Sequence, residues 1–194
     1  MKQTLSFYRQ WIICSVLLLL TGCAASSSPP DYTNQQMDFS AVRTVAVLPF
    51  QNLTGDDQAS ERVRDAFMGM LLATEVIYVL PPGEVARGIN RANIRVPDIP
   101  SSEDITKLKG LLEVDAVITG VLREYGSVRS GSAEANLVSL SLQMIETQTG
   151  TVVWSAESTK GGITMADRML GSGGQPMNTV TIQVINDLLD QLFE

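Results

Sequence analysis

The feature that most constrains this chain is a ten-residue apolar run from Trp11 to Leu20, because it decides which residues are left to fold. The run follows the basic residues Lys2 and Arg9, which is the order found in a secretory signal. As a helix it would reach only about 15 Å, roughly half the thickness of a bilayer core, so it is too short for a permanent membrane span. The sequence therefore predicts that residues 1–22 form an export signal that the mature protein loses.

The four residues that end the signal are Leu20-Thr21-Gly22-Cys23, and this pattern is typical of a bacterial lipobox. Small residues before the cut suit the signal peptidase, and a cysteine thiol can be converted to a diacylglyceryl thioether. We therefore predict cleavage between Gly22 and Cys23 and acylation of Cys23, including a palmitate-type chain. This covalent lipid is the membrane anchor, to which each buried methylene contributes about 0.8 kcal/mol. The alternative interpretation is an ordinary signal peptide in which Cys23 is incidental.

The mature chain must be stabilised mainly by its apolar core. Cys14 leaves with the signal and Cys23 is acylated, so no disulfide is expected in the folded domain. Loss of Lys2 and Arg9 changes the formal charge from −7 to −9. A chain this acidic has no footprint for nucleic acid, and anionic head groups would repel it.

The composition changes sharply near residue 40. Residues 23–40 are rich in serine and polar side chains and include Pro29 and Pro30, which predicts a lipidated flexible tether. Residues 41–194 have the length and periodicity of one domain, and we expect this domain to lie in the periplasm, as the resemblance described below implies. Ala24 follows the acylated cysteine, where an aspartate commonly retains lipoproteins on the inner membrane. We therefore predict anchoring to the periplasmic face of the outer membrane.

The hydrophobic pattern predicts an α/β (α+β) fold: a single mixed-sheet domain of element order β-α-β-α-α-β-β-β-α, with the helices packed on the sheet. Strands joined through helices should be parallel, and the last strands should form an antiparallel meander. Phe67 is expected to pack the first helix on the sheet, while the stretches 126–132 and 161–175 are predicted to be a turn and a mobile loop. Strands are expected over 42–50, 76–80, 115–124, 137–145 and 152–156, and helices over 58–74, 84–93, 101–112 and 178–193.

The residue inventory restricts catalysis. The chain has no histidine, which excludes a Ser-His-Asp triad and imidazole metal sites. A Ser-Lys pair is open in principle, although two of its three candidate lysines lie on the polar side of a helix. We predict no catalytic residue, no metal and no cofactor besides the lipid on Cys23. The lysines considered are Lys107, Lys109 and Lys160, and the methionines interpreted as core residues rather than metal ligands are Met68, Met70, Met165 and Met169.

A polar turn after the first strand is the candidate partner-binding surface. In parallel sheets, sites gather at the carboxyl ends of the strands, where this turn must lie. The alternatives are a plain turn with the start of a helix, where negative charge is favoured, a cation site, and a glycosidase acid. The candidate residues are Asn52, Thr54, Gly55, Asp56 and Asp57.

The order of several short motifs resembles a known group of lipoproteins. These motifs are Val45–Phe50, Asn52 with Thr54-Gly55, Val114–Gly120, and the hairpin around Thr149-Gly150 followed by Val153-Trp154. They resemble the lipoproteins related to the curli-secretion component, and are similar to lipoproteins of neisserial type and, more distantly, to activators of penicillin-binding proteins. The resemblance covers residues 42–161. It implies a mixed α/β domain in the periplasm, anchored to the outer membrane, without catalysis of its own.

The chain departs from the curli relatives at one place. Two extra hairpins build their barrel, and one would lie near residues 126–135, where we expect only a short loop; this argues against a secretion pore. We predict a lipid-anchored accessory or scaffold lipoprotein of an outer-membrane or cell-envelope assembly, which binds envelope proteins and serves secretion or wall synthesis. The alternatives are a ring-forming homo-oligomeric subunit associated with a secretion pore, and an enzyme acting on envelope polymers.

Overall fold

The computed structural model describes residues 31–163 and 174–193, so the predicted signal, Cys23 and residues 164–173 of the predicted mobile loop lie outside it. Within these ranges no helix combines the length and apolarity needed to cross a membrane. The strands are β1 (Tyr32–Thr33), β2 (Thr44–Val47), β3 (Gln51–Asn52), β4 (Tyr78–Val79), β5 (Ala116–Ser130), β6 (Ala133–Glu146) and β7 (Val152–Gly161). The α-helices are α1 (Ala59–Ala73), α2 (Pro82–Arg91), α3 (Ser102–Leu112) and α4 (Met177–Phe193).

All seven strands belong to one mixed sheet. Their order is β1-β7-β6-β5-β2-β4, and β3 pairs with β5 beside the end of β2. β2 is parallel to both of its neighbours, with Val45 opposite Val79 of β4 and Ala116 of β5. β5, β6 and β7 form the antiparallel meander. The prediction of a single mixed α/β domain with helices packed on the sheet is confirmed.

Helices cover both faces of the sheet and divide the core in two. On one face, α1 and α4 pack over side chains of the strands that include Trp154. On the other face, α2 and α3 cover the first half of the parallel strands with residues such as Val85 and Leu108. Phe67 is only 1% exposed, which confirms the predicted inward face of α1. The indole N–H of Trp154 donates to the carbonyl oxygen of Gln191 at 3.3 Å, so the ring is a core residue with its polar atom satisfied.

The hairpin formed by β5 and β6 is longer than the sequence predicted. The turn expected over 126–132 is wrong, because β5 continues to Ser130 and the chain reverses at Gly131, where φ is +62°. The short loop expected near 126–135 is also wrong, because these residues, apart from 131 and 132, are paired strand residues of the hairpin. A missing hairpin at this place therefore gives no argument against a secretion pore. Pairing between strands stabilises the hairpin, since Arg129 lies opposite Glu134 with a nitrogen–oxygen distance of 2.7 Å. Such pairing across the hairpin has no local signature in a stretch that is rich in glycine and serine.

The segment predicted as a tether over 23–40 joins the fold before its end. Tyr32 and Thr33 form β1, which pairs antiparallel with β7, and residues 39–41 form a short 3-10 turn. The folded part of the chain thus begins nearer residue 31 than residue 41.

Candidate functional site

The predicted partner-binding turn lies at the carboxyl end of β2, and its polar groups satisfy one another. Asn52 belongs to β3, a strand that was not predicted, and lies beside β5. The Asn52 side chain accepts from the backbone N–H of Thr54 at 3.0 Å and from its hydroxyl at 2.8 Å. It also donates to the carbonyl oxygen of Asp56 at 2.8 Å. Asn52 and Thr54 therefore hold the turn in shape.

Asp56 connects the turn to the start of α1. One carboxylate oxygen accepts from the backbone N–H of Gln58 at 3.0 Å, just before the helix begins at Ala59. The other oxygen forms an ion pair with Arg62, whose guanidinium carbon lies 5.7 Å from the ring centroid of Tyr125. Hydrogen bonding with Tyr125, and then with Asp56, raises the pKa of Arg62 above its ordinary value. The interpretation of Asp56 as a residue of a helix start is thus supported by its contacts.

What the turn presents to solvent is a leucine and a carboxylate. Leu53 is 55% exposed, although its backbone N–H is fixed to the carbonyl oxygen of Leu122 at 2.9 Å. Gly55 and Asp57 are also exposed. Of the five predicted residues, only these two face outward without holding the turn. Leu53 was not among the predicted site residues, and its only signal in the sequence is that it is an apolar residue inside a polar turn.

A half-buried arginine beside the turn, Arg64, was also not predicted. Leu80 N–H donates to the carbonyl oxygen of Val45 at 2.9 Å, and the next donor along that edge would be Pro82, which has no N–H. Arg64 takes its place: its Nη2 and Nε atoms donate to the carbonyl oxygen of Val47 at 2.8 Å and 3.2 Å. Burial lowers the pKa of Arg64 from its ordinary value. This arginine completes the edge of β2 at the point where β4 stops.

A serine and a lysine of β7 both contact the same carboxylate of α4. Ser158 donates to Asp187 Oδ2 at 2.5 Å, and Lys160 Nζ lies 2.8 Å from Asp187 Oδ1. Ser158 is 1% exposed, and its hydroxyl proton points to the carboxylate instead of the lysine. Burial raises the pKa of Asp187, but the hydrogen bonds from Lys160 and Ser158 outweigh it and leave the pKa below its ordinary value. The cluster thus ties α4 to β7.

The other residues considered for chemistry lie apart from one another. Lys107 pairs with Glu103 at 2.9 Å on the surface of α3, and Lys109 donates to Gln148 at 3.2 Å. Both methionines of this group that the structure describes belong to α1: Met68 is buried in the core, and Met70 packs against the same core. Met165 and Met169 lie outside the described residues. Within the described ranges, no three acidic or cysteine side chains are grouped as metal ligands.

A second candidate surface lies at the amino ends of the parallel strands. It is a cleft of about 260 Å³ in which seven of the nine lining residues are apolar, although polar and apolar atoms contribute almost equally to the exposed lining. Arg43 is its only charged lining residue, and the Arg43 side chain has no ion pair within residues 31–163 and 174–193. The lining residues are Phe39, Ser40, Val42, Arg43, Val76, Ile77, Met144, Leu192 and Phe193.

Comparison with solved structures shows where this fold recurs. The crystal structure of lipoprotein GNA1162 from Neisseria meningitidis has a TM-score of 0.56 and 16% identity, covering 77% of this chain and 97% of that chain. The PelC dodecamer from Paraburkholderia phytofirmans has a TM-score of 0.55 and 15% identity, covering 82% and 92%. The C-terminal domain of LpoB from Escherichia coli reaches 0.48 and 12%, covering 65% and 88%, a similarity too low to support an inference.

The family comparison is more specific than the structural one. Comparison with curated sequences found no significant match. A family model described as "Putative lipoprotein GNA1162-like" matches residues 30–194, which include every described element. This match confirms the neisserial-type part of the sequence resemblance. The chain therefore belongs to the GNA1162-like lipoprotein family.

Proposed function

We propose that this protein is a lipid-anchored accessory lipoprotein on the periplasmic face of the outer membrane, where it binds other envelope proteins and performs no catalysis itself. The observation that carries the proposal is the sequence Leu20-Thr21-Gly22-Cys23 at the head of a chain that belongs to a lipoprotein family. The lipid on Cys23 fixes the protein to the membrane, and the folded domain supplies the binding surfaces. Its relation to curli-secretion lipoproteins stays a prediction.

The side chains of the folded domain support binding better than catalysis. The sequence contains no histidine, and the serine with a nearby lysine is buried against a carboxylate. The turn at the carboxyl end of β2 is instead a rigid surface that presents Leu53 and Asp57. A rigid, preorganised surface loses little conformational entropy when a partner binds. This arrangement suits a scaffold, and an enzyme acting on envelope polymers is the weaker alternative.

The anchor is tested with the two cysteines of the chain. Cys23→Ala should abolish incorporation of a clickable fatty acid in cells and leave the precursor uncut by the lipoprotein peptidase. Cys14→Ala, which changes a cysteine inside the signal, is the matched control and should still be cleaved and acylated. Mass spectrometry of the mature N-terminus gives the result. A terminus other than Cys23, or a Cys23 without an acyl mass, would contradict the proposal.

The membrane in which the protein is located is tested separately from the attachment of the lipid. Separated inner and outer membranes should show the wild-type protein in the outer fraction, and Ala24→Asp should move it toward the inner fraction. Ala24→Ser is the control, because it keeps a small neutral residue beside Cys23. Wild-type protein in the inner-membrane fraction would overturn the location and leave the anchor intact.

A homo-oligomeric ring is the second candidate function. The PelC structure, which has a similar fold, is a dodecamer, so this fold is compatible with assembly of many copies. The present chain also has two different exposed surfaces at opposite ends of its parallel strands. Sedimentation of the full-length lipidated protein in detergent over a range of concentrations tests this candidate, and a monomer throughout would exclude it.

A further inference from the structure

We propose that the turn of one copy fills the cleft of a second copy, with Leu53 between the apolar walls and Asp57 beside Arg43. This inference rests on the homo-oligomeric form of the proposed function. It assigns the two surfaces of the contact and makes the contact head-to-tail. The lipid anchor does not depend on it.

The cleft offers exposed apolar side chains and one positively charged side chain. Val76 and Phe193 are 63% and 40% exposed at its walls, which leaves apolar surface in contact with water. The backbone N–H groups of Arg43 and Thr44 are both bound to Asp115, which fixes the backbone at the base of the Arg43 side chain. The guanidinium itself has no ionic partner in the part of the chain that the structure describes. The cleft therefore suits a segment that has an exposed apolar side chain with a carboxylate nearby.

The turn has this composition. Leu53 is exposed on a backbone that is bound to Leu122, and the polar groups of Asn52 and Thr54 are used within the turn. Asp56 is occupied by Arg62, which leaves Asp57 as the carboxylate of the turn without an ion pair among the described residues. Since the turn is already ordered, insertion of Leu53 carries a small entropic cost. Its apolar group and its charge both complement the cleft.

The two surfaces cannot meet within one molecule. Arg43 precedes β2 and Leu53 follows β3, and ten residues of extended chain span about 30 Å. A contact between two different surfaces of identical copies is heterologous, so it repeats head-to-tail and closes a ring or continues as a fibre. The acidic copies repel each other at long range, and a local pair of opposite charges offsets that repulsion at the contact.

Crosslinking between copies tests the geometry. Full-length lipidated Leu53→Cys and Val76→Cys proteins are purified separately in detergent, mixed, and oxidised. The proposal expects disulfide-linked dimers in the mixture and few with either variant alone. Leu53→Cys mixed with Val96→Cys is the matched control, because Val96 is 51% exposed but lies between α2 and α3, away from the cleft. All three positions are exposed, so the variants should keep the wild-type circular dichroism spectrum.

Charge reversal tests the chemistry of the contact. Arg43→Glu and Asp57→Lys should each weaken self-association in sedimentation by at least about tenfold, since each places like charges together. The double variant restores an opposite pair and should recover most of the wild-type association. Arg95→Glu and Asp65→Lys make the same changes at exposed positions outside both surfaces and should have little effect.

The outcomes separate this proposal from the proposed function. Specific crosslinking together with recovery in the double variant supports the contact. Self-association without the Leu53–Val76 crosslink, or without recovery, overturns the contact and leaves a homo-oligomer with another interface. A monomer at every concentration overturns both the contact and the ring. The acyl mass on Cys23, measured on the same samples, decides the anchor independently.

Discussion

The role of Arg64 depends on a strand edge that lies outside its own stretch of sequence. Its guanidinium replaces a strand N–H that Pro82 cannot provide, and it does so from a helix 17 positions beyond its acceptor, Val47. An arginine on a helix is ordinarily interpreted as a solvated residue. Nothing near Arg64 in the sequence shows that a strand edge will end beside it, so this contact could not have been predicted.

Replacement of Arg64 should lower the unfolding free energy more than is usual for a residue that is not fully buried. Arg64→Met keeps the apolar stem but leaves the Val47 carbonyl oxygen without its donor. An unsatisfied buried acceptor costs about 1–3 kcal/mol of unfolding free energy, measured by chemical denaturation. Arg95→Met removes an exposed arginine and should stay within about 0.5 kcal/mol of wild type. Equal stabilities for the two variants would contradict the role assigned to Arg64.

Phe67 was predictable because its position in the helical pattern was decisive. It packs in the core of α1 and contacts the Phe50 ring, with centroids 6.1 Å apart. Phe67→Ala should lower the unfolding free energy by about 3–5 kcal/mol, because it removes a large buried side chain and leaves a cavity. Leu72→Ala, at an exposed position on the same helix, is the control. A loss below about 1 kcal/mol for Phe67→Ala would mean that this face of α1 is not tightly packed.

The candidate turn shows which part of a site the sequence can indicate. Its location followed from the parallel strands, but the sequence did not separate residues that build the turn from residues that face solvent. Replacing Asn52 and Asp56 together would disrupt the turn itself, so a loss of partners would not identify a binding surface. Changes at Leu53 and Asp57 are the informative ones, because those side chains make few contacts within the turn.

At the scale of secondary-structure elements, buried parallel strands were easier to predict than exposed antiparallel ones. Val45 to Val47 form a continuous apolar run, which indicates a strand covered on both faces. The end of the β5–β6 hairpin has no such run, and its strands form because each pairs with the other. Local propensity is weak there, and the bulge between Leu122 and Glu124 further hides the alternation.

The stability that the contacts between α4 and β7 provide should depend on pH. The pKa of Asp187 is lowered in the folded protein, so its contribution to stability is present above the unfolded pKa of about 4 and is lost as the pH falls through the folded value. Asp187→Asn should therefore destabilise the protein at pH 7, and its difference from wild type should narrow below about pH 4. Denaturation midpoints at neutral and acid pH measure this.

An exposed carboxylate on the same helix provides the comparison. Asp190→Asn changes the same charge at a solvated position, and its effect on the midpoint should be small at both pH values. A constant difference between wild type and Asp187→Asn across the pH range would show that the ion pair with Lys160 is not the source of the effect.

At the scale of the whole molecule, the successful predictions concern the fold class and the order of the main elements. The predictions that failed concern contacts between distant segments of the chain. The motif order from Val45 to Trp154 indicated three related groups of lipoproteins, of which the family match confirms the neisserial type. The order carries this information because it reflects the sequence of elements around the sheet. The cleft was not foreseen, since Phe39, Val76 and Leu192 come together only when three distant segments converge.

The pairing of β1 with β7 has a mechanical consequence. Asn34 N–H donates to the carbonyl oxygen of Val153 at 2.8 Å, and the chain before Tyr32 leaves in the direction in which β7 runs. A pull on the N-terminus in that direction loads the hydrogen bonds of this pairing together, in shear. A pull in the opposite direction peels them apart one after another, beginning at Tyr32. The short strand thus makes resistance to force directional: the same few bonds hold against traction toward the carboxyl ends of the parallel strands and yield to traction toward the amino ends.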